Sequence, residues 1–225
     1  MNVVKDEYPH PQPGPDRTTS AAPPGLRAQK ADATRRRVLE QARSLFLARG
    51  YAATTTREIA AAAAVTERTL FNLVVSKSDL LREVLMTYVF TDDYGPLLER
   101  KDFRPVLAAR TTEQFLTRFT GWVLELHQQT SAVAEMTRAA APVDPPAAEI
   151  WAWGNAQQVT DLTNLSTELE RRGWLRTGGS PRPVARSLAV LCGHETYWRM
   201  VVLEQASPAE YRRWLQRHCA AELVG

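Results

Sequence analysis

Between Glu58 and Leu81 the chain reads EIAAAAAVTERTLFNLVVSKSDLL, and this stretch narrows the possible folds more than any other. Five consecutive alanines suit one uninterrupted helix, because alanine has the highest helix propensity. The pair Val65–Thr66 argues against it, since a β-branched residue precedes a good N-cap. Upstream, TTRE (Thr55 to Glu58) has the capping-box form, so a helix starts at about Thr56 and carries Ile59, Ala60 and Ala63 inward. Thr66 then caps a further helix that runs to about Val74. Ala60, Ala63 and Ala64 would let these two short helices cross closely where bulkier side chains would hold them apart. Residue chemistry alone leaves both forms open, a helical hairpin with a tight turn and a single alanine-rich rod.

The hairpin form makes a specific surface. With Leu70 at the centre of the buried side, a turn of about 100° per residue puts Val74 beside it and Arg68 and Asn72 almost opposite. Thr69 and Phe71 flank that outer face. Arginine matches the paired acceptors of guanine, and asparagine matches the acceptor and donor of adenine. Thr69 suits a phosphate or a thymine methyl, and Lys77 a phosphate.

Charge supports a polyanionic partner locally rather than globally. The formal net charge of the 225 residues is only +3. From Leu26 to Gly50, however, Arg27, Lys30, Arg35, Arg36, Arg37, Arg43 and Arg49 face only Asp32 and Glu40. Such an excess suits DNA, and equally the solvated face of a helix. No apolar run approaches the roughly 18 residues of a membrane span. The two cysteines, Cys192 and Cys219, are too few for a disulfide framework, which fits a reducing cytoplasm.

Every strong segment reads helical, so the expected class is all-α. Residues 1–30 hold six prolines and are expected to form a disordered arm, with order beginning near Asp32. A first helix carries Val38, Ala42, Leu45 and Phe46 and stops at Gly50. The two short helices follow, and a longer helix begins near Ser78 with Leu81, Val84, Leu85 and Tyr88 on one side. The change in style places a boundary there: residues 31–78 form one domain and 79–225 another. Beyond it the spacing predicts helices over Pro105 to Gln128, Ser131 to Ala140, Ala147 to Arg172 (ended by Gly173), Val184 to Gln205 and Pro208 to Val224. SPAE, from Ser207 to Glu210, is a second capping box.

The run from Thr34 to Leu81 resembles the DNA-binding domain of the tetracycline-repressor (TetR) family of bacterial regulators. Ala42, Leu45 and Phe46, then Gly50-Tyr51, Thr54-Thr55, Ile59-Ala60, Val65-Thr66, Thr69-Leu70 and Ser76-Lys77 match the pattern in register. The resemblance implies a helix-turn-helix unit and a homodimer whose two recognition helices enter successive major grooves of a palindromic operator. On that basis the expected DNA-binding residues are Arg35, Arg36, Thr54, Thr55, Thr66, Glu67, Arg68, Thr69, Phe71, Asn72 and Lys77. Three departures stand out. Ala64 replaces the usual turn glycine, Phe71 lacks the phosphate-binding hydroxyl of the usual tyrosine, and Leu73-Val74 replace a histidine or tyrosine and a phenylalanine. The basic residues from Arg27 to Arg37 are expected to compensate at phosphates or in a minor groove.

In the C-terminal part the resemblance is one of architecture. It implies that the last two long helices pair across a two-fold axis, with Leu188, Leu191, Trp198, Trp214 and Leu215 as interface anchors. It also implies an effector pocket among the middle helices. Phe115, Phe119, Trp122, Leu126, Met136, Trp151 and Asn155 are the expected lining, with His127, Gln128, Trp153 and Gln158 as further candidates. Their type suggests an apolar or aromatic small molecule.

No catalytic or metal-binding constellation is evident. His194-Glu195 lacks the second histidine four residues on, where Trp198 stands, and Cys192-x-His194 has no further ligands. The expected function is a cytoplasmic, nucleoid-associated regulator, not an enzyme and without a cofactor, that represses transcription until a small molecule releases it. The competing expectation keeps the fold and the small-molecule site with weak or lost DNA reading, favoured by the missing donors at Phe71 and Leu73.

Overall fold

The computed structural model describes residues 26–88, 95–176 and 180–223. Helix α1 (Leu26–Arg49) begins six residues earlier than expected. Leu26, Arg27, Ala28, Gln29 and Lys30 are good helix formers and follow the last proline of the arm, so nothing prevents the helix from starting there. The remainder of the expected arm lies outside the described residues. Gly50, at φ +83°, ends α1 in the left-handed region. Helices α2 (Thr56–Ala62) and α3 (Glu67–Leu73) follow, each capped by the threonine anticipated for it. The Thr55 hydroxyl accepts from the Glu58 amide, and the Glu58 carboxylate accepts from the Thr55 amide. The alanine run therefore divides into a helix and a turn. Ala63 is fully buried and Ala64 turns the chain at φ +50°.

Helix α4 (Lys77–Tyr88) packs Leu80, Leu81, Val84 and Leu85 inward. The Tyr88 side chain lies outside the described residues. Val38, Ala42, Phe46, Ile59, Ala60 and Leu70 close a core with α4. That core continues into Val133, Met136, Ala140 and Ala147 of the helices beyond, so the first four helices are seated on the rest of the chain rather than tethered to it.

Two helix boundaries differ from expectation. The helix foreseen over Pro105 to Gln128 is divided into a single turn, α5 (Arg104–Leu107), and a long α6 (Thr112–Ala140). The division comes from Thr111, which accepts from the Gln114 amide while the Gln114 side chain accepts from the Arg110 amide. Conversely, α6 runs unbroken through Gln128 to Ser131, where neither glycine nor proline stops it. The turn at Pro142 leads to the N-cap Asp144 and to α7 (Pro145–Arg171). The expected stop at Gly173 is observed, at φ +70°.

The long helix expected from Val184 to Gln205 is broken as well. Helix α8 (Pro181–Leu191) ends at Cys192, and α9 (His194–Tyr197) restarts after Gly193. A Cβ at Gly193 would lie 2.8 Å from the Ala189 carbonyl oxygen, so the close turn excludes any larger residue. Trp198–Leu203 then widen into π-helical geometry, with the Glu204 amide reaching back to the Arg199 carbonyl. Helix α10 (Pro208–Ala220) opens on the SPAE capping box and closes the second core, where Tyr211 and Leu215 meet Phe115, Phe119, Leu165 and Leu188. Among the described residues the only β feature is an isolated bridge between Leu175 and Leu223. None of the described helices is long and apolar enough to cross a membrane.

Candidate functional site

The exposed face of α3 is the first candidate. Leu70 is completely buried, which turns Glu67, Arg68, Phe71 and Asn72 outward. Thr66 caps the helix by accepting from the Thr69 amide at 3.1 Å, and the two hydroxyls are 2.8 Å apart. Thr69 is half-buried. Arg68 and Asn72 thus share a solvent-facing side at i and i+4, as the helical period requires. Phe71 is 46% exposed and Val75, in the loop after α3, 85% exposed, so this surface is apolar as well as polar.

Several residues expected on DNA serve the domain itself. Thr54 is fully buried and donates to the Gly50 and Leu45 carbonyls, so its hydroxyl ties the turn after α1 and does not reach the surface. Arg35 pairs with Glu83 at 2.6 Å and reaches the Leu73 carbonyl at 3.4 Å, linking α1 to α4 and to the end of α3. Burial nonetheless pushes the Glu83 carboxyl above its ordinary range, against the pull of Arg35. Lys77 donates to the Ala52 carbonyl and lies 4.3 Å from the centre of the Tyr51 ring. Partial burial lowers the pKa of its ammonium. Thr55 is exposed with its hydroxyl engaged in the cap, and Arg36 is exposed on α1. Arg37, singled out only as part of the basic run, donates to the Ala63 carbonyl at 2.7 Å and holds the α2–α3 turn. Its position gives no sequence signal beyond that run.

The second candidate is a cavity of about 200 Å³ between α4, α6, α7 and the α8–α9 junction. Of the expected lining, Phe119, Trp122, Leu126, Trp151 and Asn155 are there, with His127 and Gln158. Phe115 and Met136 are not among it. Phe115 stacks on Phe119 at 5.3 Å within the second core, and Met136 belongs to the core beneath α1–α4. Both are apolar residues at the right period on the wrong side of α6. Polar lining residues that sequence reasoning passed over are Arg100, Thr130, Thr137, Asp161 and His194. The heptad Val123, Thr130, Thr137 carries the signal for two of them. Arg100 sits on an irregular segment, where periodicity is silent, and His194 opens α9 just after the break at Gly193 that periodicity does not reveal.

His127 is buried and its Nε2 lies 3.0 Å from the Cys192 carbonyl. Burial lowers its pKa to about 4, so it is neutral near pH 7. His194 Nε2 lies 3.2 Å from Glu135, whose carboxyl is held below its ordinary range first by its bonds to Arg138. The cavity and the first four helices share two links. Leu85 of α4 lines the cavity. Asp144, the N-cap of α7, accepts from Tyr51 at 2.6 Å and from Ser78 at 3.3 Å with one oxygen while the other caps Ala147. Burial first, and then the Asp144 bond, push the Tyr51 phenol up to about 12.

Of the residues expected at a subunit interface, Leu188 and Leu215 are buried in the subunit's own core. Leu191, Trp198 and Trp214 are half-buried. The apolar residues that remain exposed in this region are Val190, Val202 and Leu203.

Residues 38–84 match the family described as bacterial regulatory proteins, tetR family. Comparison with curated protein sequences finds no significant match. Solved structures share the fold. NalD, the secondary repressor of the MexAB-OprM multidrug efflux pump in Pseudomonas aeruginosa, is 20% identical with a TM-score of 0.63, over 86% of this chain and 98% of its own. SmeT in complex with triclosan is 20% identical with a TM-score of 0.68, over 86% and 92%. A choline-bound protein of Saccharomonospora viridis is 17% identical with a TM-score of 0.67, over 86% and 99%. Residues 38–84 thus match the family model of bacterial regulatory proteins, tetR family, and the helices beyond them share the fold of solved TetR-family regulators.

Proposed function

We propose that this protein is a cytoplasmic, ligand-responsive repressor that binds a palindromic operator as a homodimer and leaves it when a small, largely apolar molecule occupies the cavity. Residues 31–78 would read DNA, and residues 79–225 would hold the effector and the partner subunit. Arg68 and Asn72 read base edges, with Thr69 beside them and Glu67 available to a cytosine amine. Arg36, Thr55, Thr66 and Lys77 set the register on phosphate, and Phe71 packs on the sugar edge or a thymine methyl. Val190, Val202 and Leu203 extend the expected pairing face of Leu191, Trp198 and Trp214, because they are apolar and exposed in the single subunit.

The observation that carries this reading is that α4 reaches the cavity through Leu85, and that α7, which also lines it, starts at Asp144, the acceptor for Tyr51 and Ser78. A molecule wedged against α7 displaces the N-cap that holds Tyr51 and Ser78, and with it the start of α4. The spacing of the two recognition helices in the dimer then changes. The ligand acts only through its differential affinity for the two spacings. That two of the similar structures hold small molecules, triclosan and choline, supports a ligand site in this fold. A second reading, a small-molecule binder with weak DNA reading, is favoured by the exposed apolar Phe71 and Val75. Footprinting on the DNA flanking the gene separates the two. The repressor reading expects a symmetric protected site with half-sites about one helical turn, ~34–36 Å, apart. The absence of any preferred site at moderate salt would favour the second reading.

A further inference from the structure

Of the polar groups that line the cavity, Thr130, Thr137 and Asp161 keep an acceptor open. The hydroxyls of Thr130 and Thr137 donate to the Leu126 and Val133 carbonyls at 2.8 and 2.9 Å, which leaves each oxygen as an acceptor. His127 Nε2 and the Gln158 amide both approach the Cys192 carbonyl, at 3.0 and 3.3 Å. His194 Nε2 faces the Glu135 carboxylate, which only accepts, so Nε2 is the donor of that pair. His194 is only 9% exposed, and its Nδ1 is buried with no hydrogen-bond partner. Asp161 accepts from the Leu97 amide and from Gln157 through Oδ1, at 3.1 and 3.2 Å. Its Oδ2 accepts from no described residue.

Charge points the same way. Arg100 is bonded in fork geometry to Asp102, at 3.0 and 2.8 Å, and also acts on Asp161 through space. Asp102 takes the Trp122 indole N–H as well, at 2.9 Å. The Arg100 fork is thus directed at Asp102, and Asp161 feels that guanidinium only through space. Buried acceptors without donors cost free energy that a donating ligand recovers, whereas an anionic ligand would meet Asp161 with like charge. Phe119 and Trp151 offer ring faces that attract a cation, while the Trp122 ring already carries the Arg100 guanidinium 5.4 Å from its centre.

We infer that the cavity selects a cationic, hydrogen-bond-donating effector, a small lipophilic amine with one or two rings, and that Asp161 is the residue that sets this preference. The inference rests on the reading of the cavity as the effector site. It is tested by isothermal titration of the full-length protein with three probes of equal size: 1-naphthylmethylamine, 1-naphthylmethanol and 1-naphthoate. The amine should bind about tenfold or more tighter than the alcohol, and the alcohol tighter than the carboxylate. Asp161→Asn keeps the Oδ1 acceptor for Leu97 and Gln157, so it should remove most of the amine's advantage while alcohol binding stays within about twofold. Unchanged alcohol binding also reports an intact cavity. Carboxylate binding equal to or tighter than that of the amine would overturn the inference. So would an amine preference that survives Asp161→Asn. Failure of all three probes to bind would instead overturn the reading of the cavity beneath it.

Discussion

Replacing Ala64 by glycine should stabilise the protein, although it deletes a methyl group. Ala64 sits at φ +50° in the turn between α2 and α3, where its own amide reaches the Ala61 carbonyl and the Val65 amide reaches the Ala60 carbonyl. An L-residue with a Cβ costs about 1–2 kcal/mol in the left-handed region. Glycine removes that cost but adds freedom to the unfolded chain, which takes back about 0.4–1 kcal/mol. Ala64 is exposed, so its methyl contributes little burial and nothing else enters the balance. The net gain is about 0–1.6 kcal/mol, centred near 0.8, read as a higher urea midpoint at unchanged slope and, at about 2–4 °C per kcal/mol for a chain of this size, a Tm higher by about 2–3 °C at that centre. Measurements must be made at one protein concentration, because any self-association would shift apparent stability. Ala61→Gly, at an exposed position inside α2, should do the opposite and cost about 1 kcal/mol. If Ala64→Gly is destabilising by as much as Ala61→Gly, the left-handed turn is wrong.

Tyr51→Phe removes the 2.6 Å bond to Asp144, which joins α7 to the first four helices, and should cost about 1.5–3 kcal/mol in urea unfolding. Thr54→Val should cost about 1 kcal/mol and leave specificity intact, because the buried hydroxyl serves the Gly50 and Leu45 carbonyls; a loss of operator preference without loss of stability would restore Thr54 to the DNA surface. His127 has a folded pKa lowered to about 4, so between that value and about 6.5 the unfolded chain binds the extra proton, and its contribution to stability is present near pH 7 and lost as pH falls. Between about pH 7 and pH 5 that loss is about 2 kcal/mol, and His127→Gln should flatten the pH profile of stability by this amount; parallel profiles for the two proteins would contradict it.

The sequence revealed most where local chemistry decides structure. Thr55, Thr66 and Ser207 cap helices because their hydroxyls meet backbone amides three residues on, and that rule needs no tertiary information. The outward face of α3 followed from the position of Leu70 alone. Side-chain partners distant in sequence were not legible. Arg35 and Thr54 carry the residue types of DNA contacts, and only the fold shows Arg35 against Glu83 and Thr54 buried with its hydroxyl on the Gly50 and Leu45 carbonyls. Periodicity found the aromatic wall of the cavity but could not tell Phe119 from Phe115, one turn apart on α6. The α8–α9 break was missed because Gly193 reads as an ordinary helix glycine until the Ala189 carbonyl is seen against it.

The central claim is that Arg68 and Asn72 read base edges from α3. It is tested most directly by fluorescence anisotropy, comparing wild type with Arg68→Ala plus Asn72→Ala on the footprinted site and on scrambled DNA of equal length at several salt concentrations. Each bidentate contact contributes about 1–3 kcal/mol of discrimination, so the double variant should lose about a hundredfold in its ratio of specific to non-specific affinity. Its binding to scrambled DNA should fall far less and keep most of its salt slope, since the phosphate contacts are elsewhere. A specificity ratio equal to that of wild type would contradict the account.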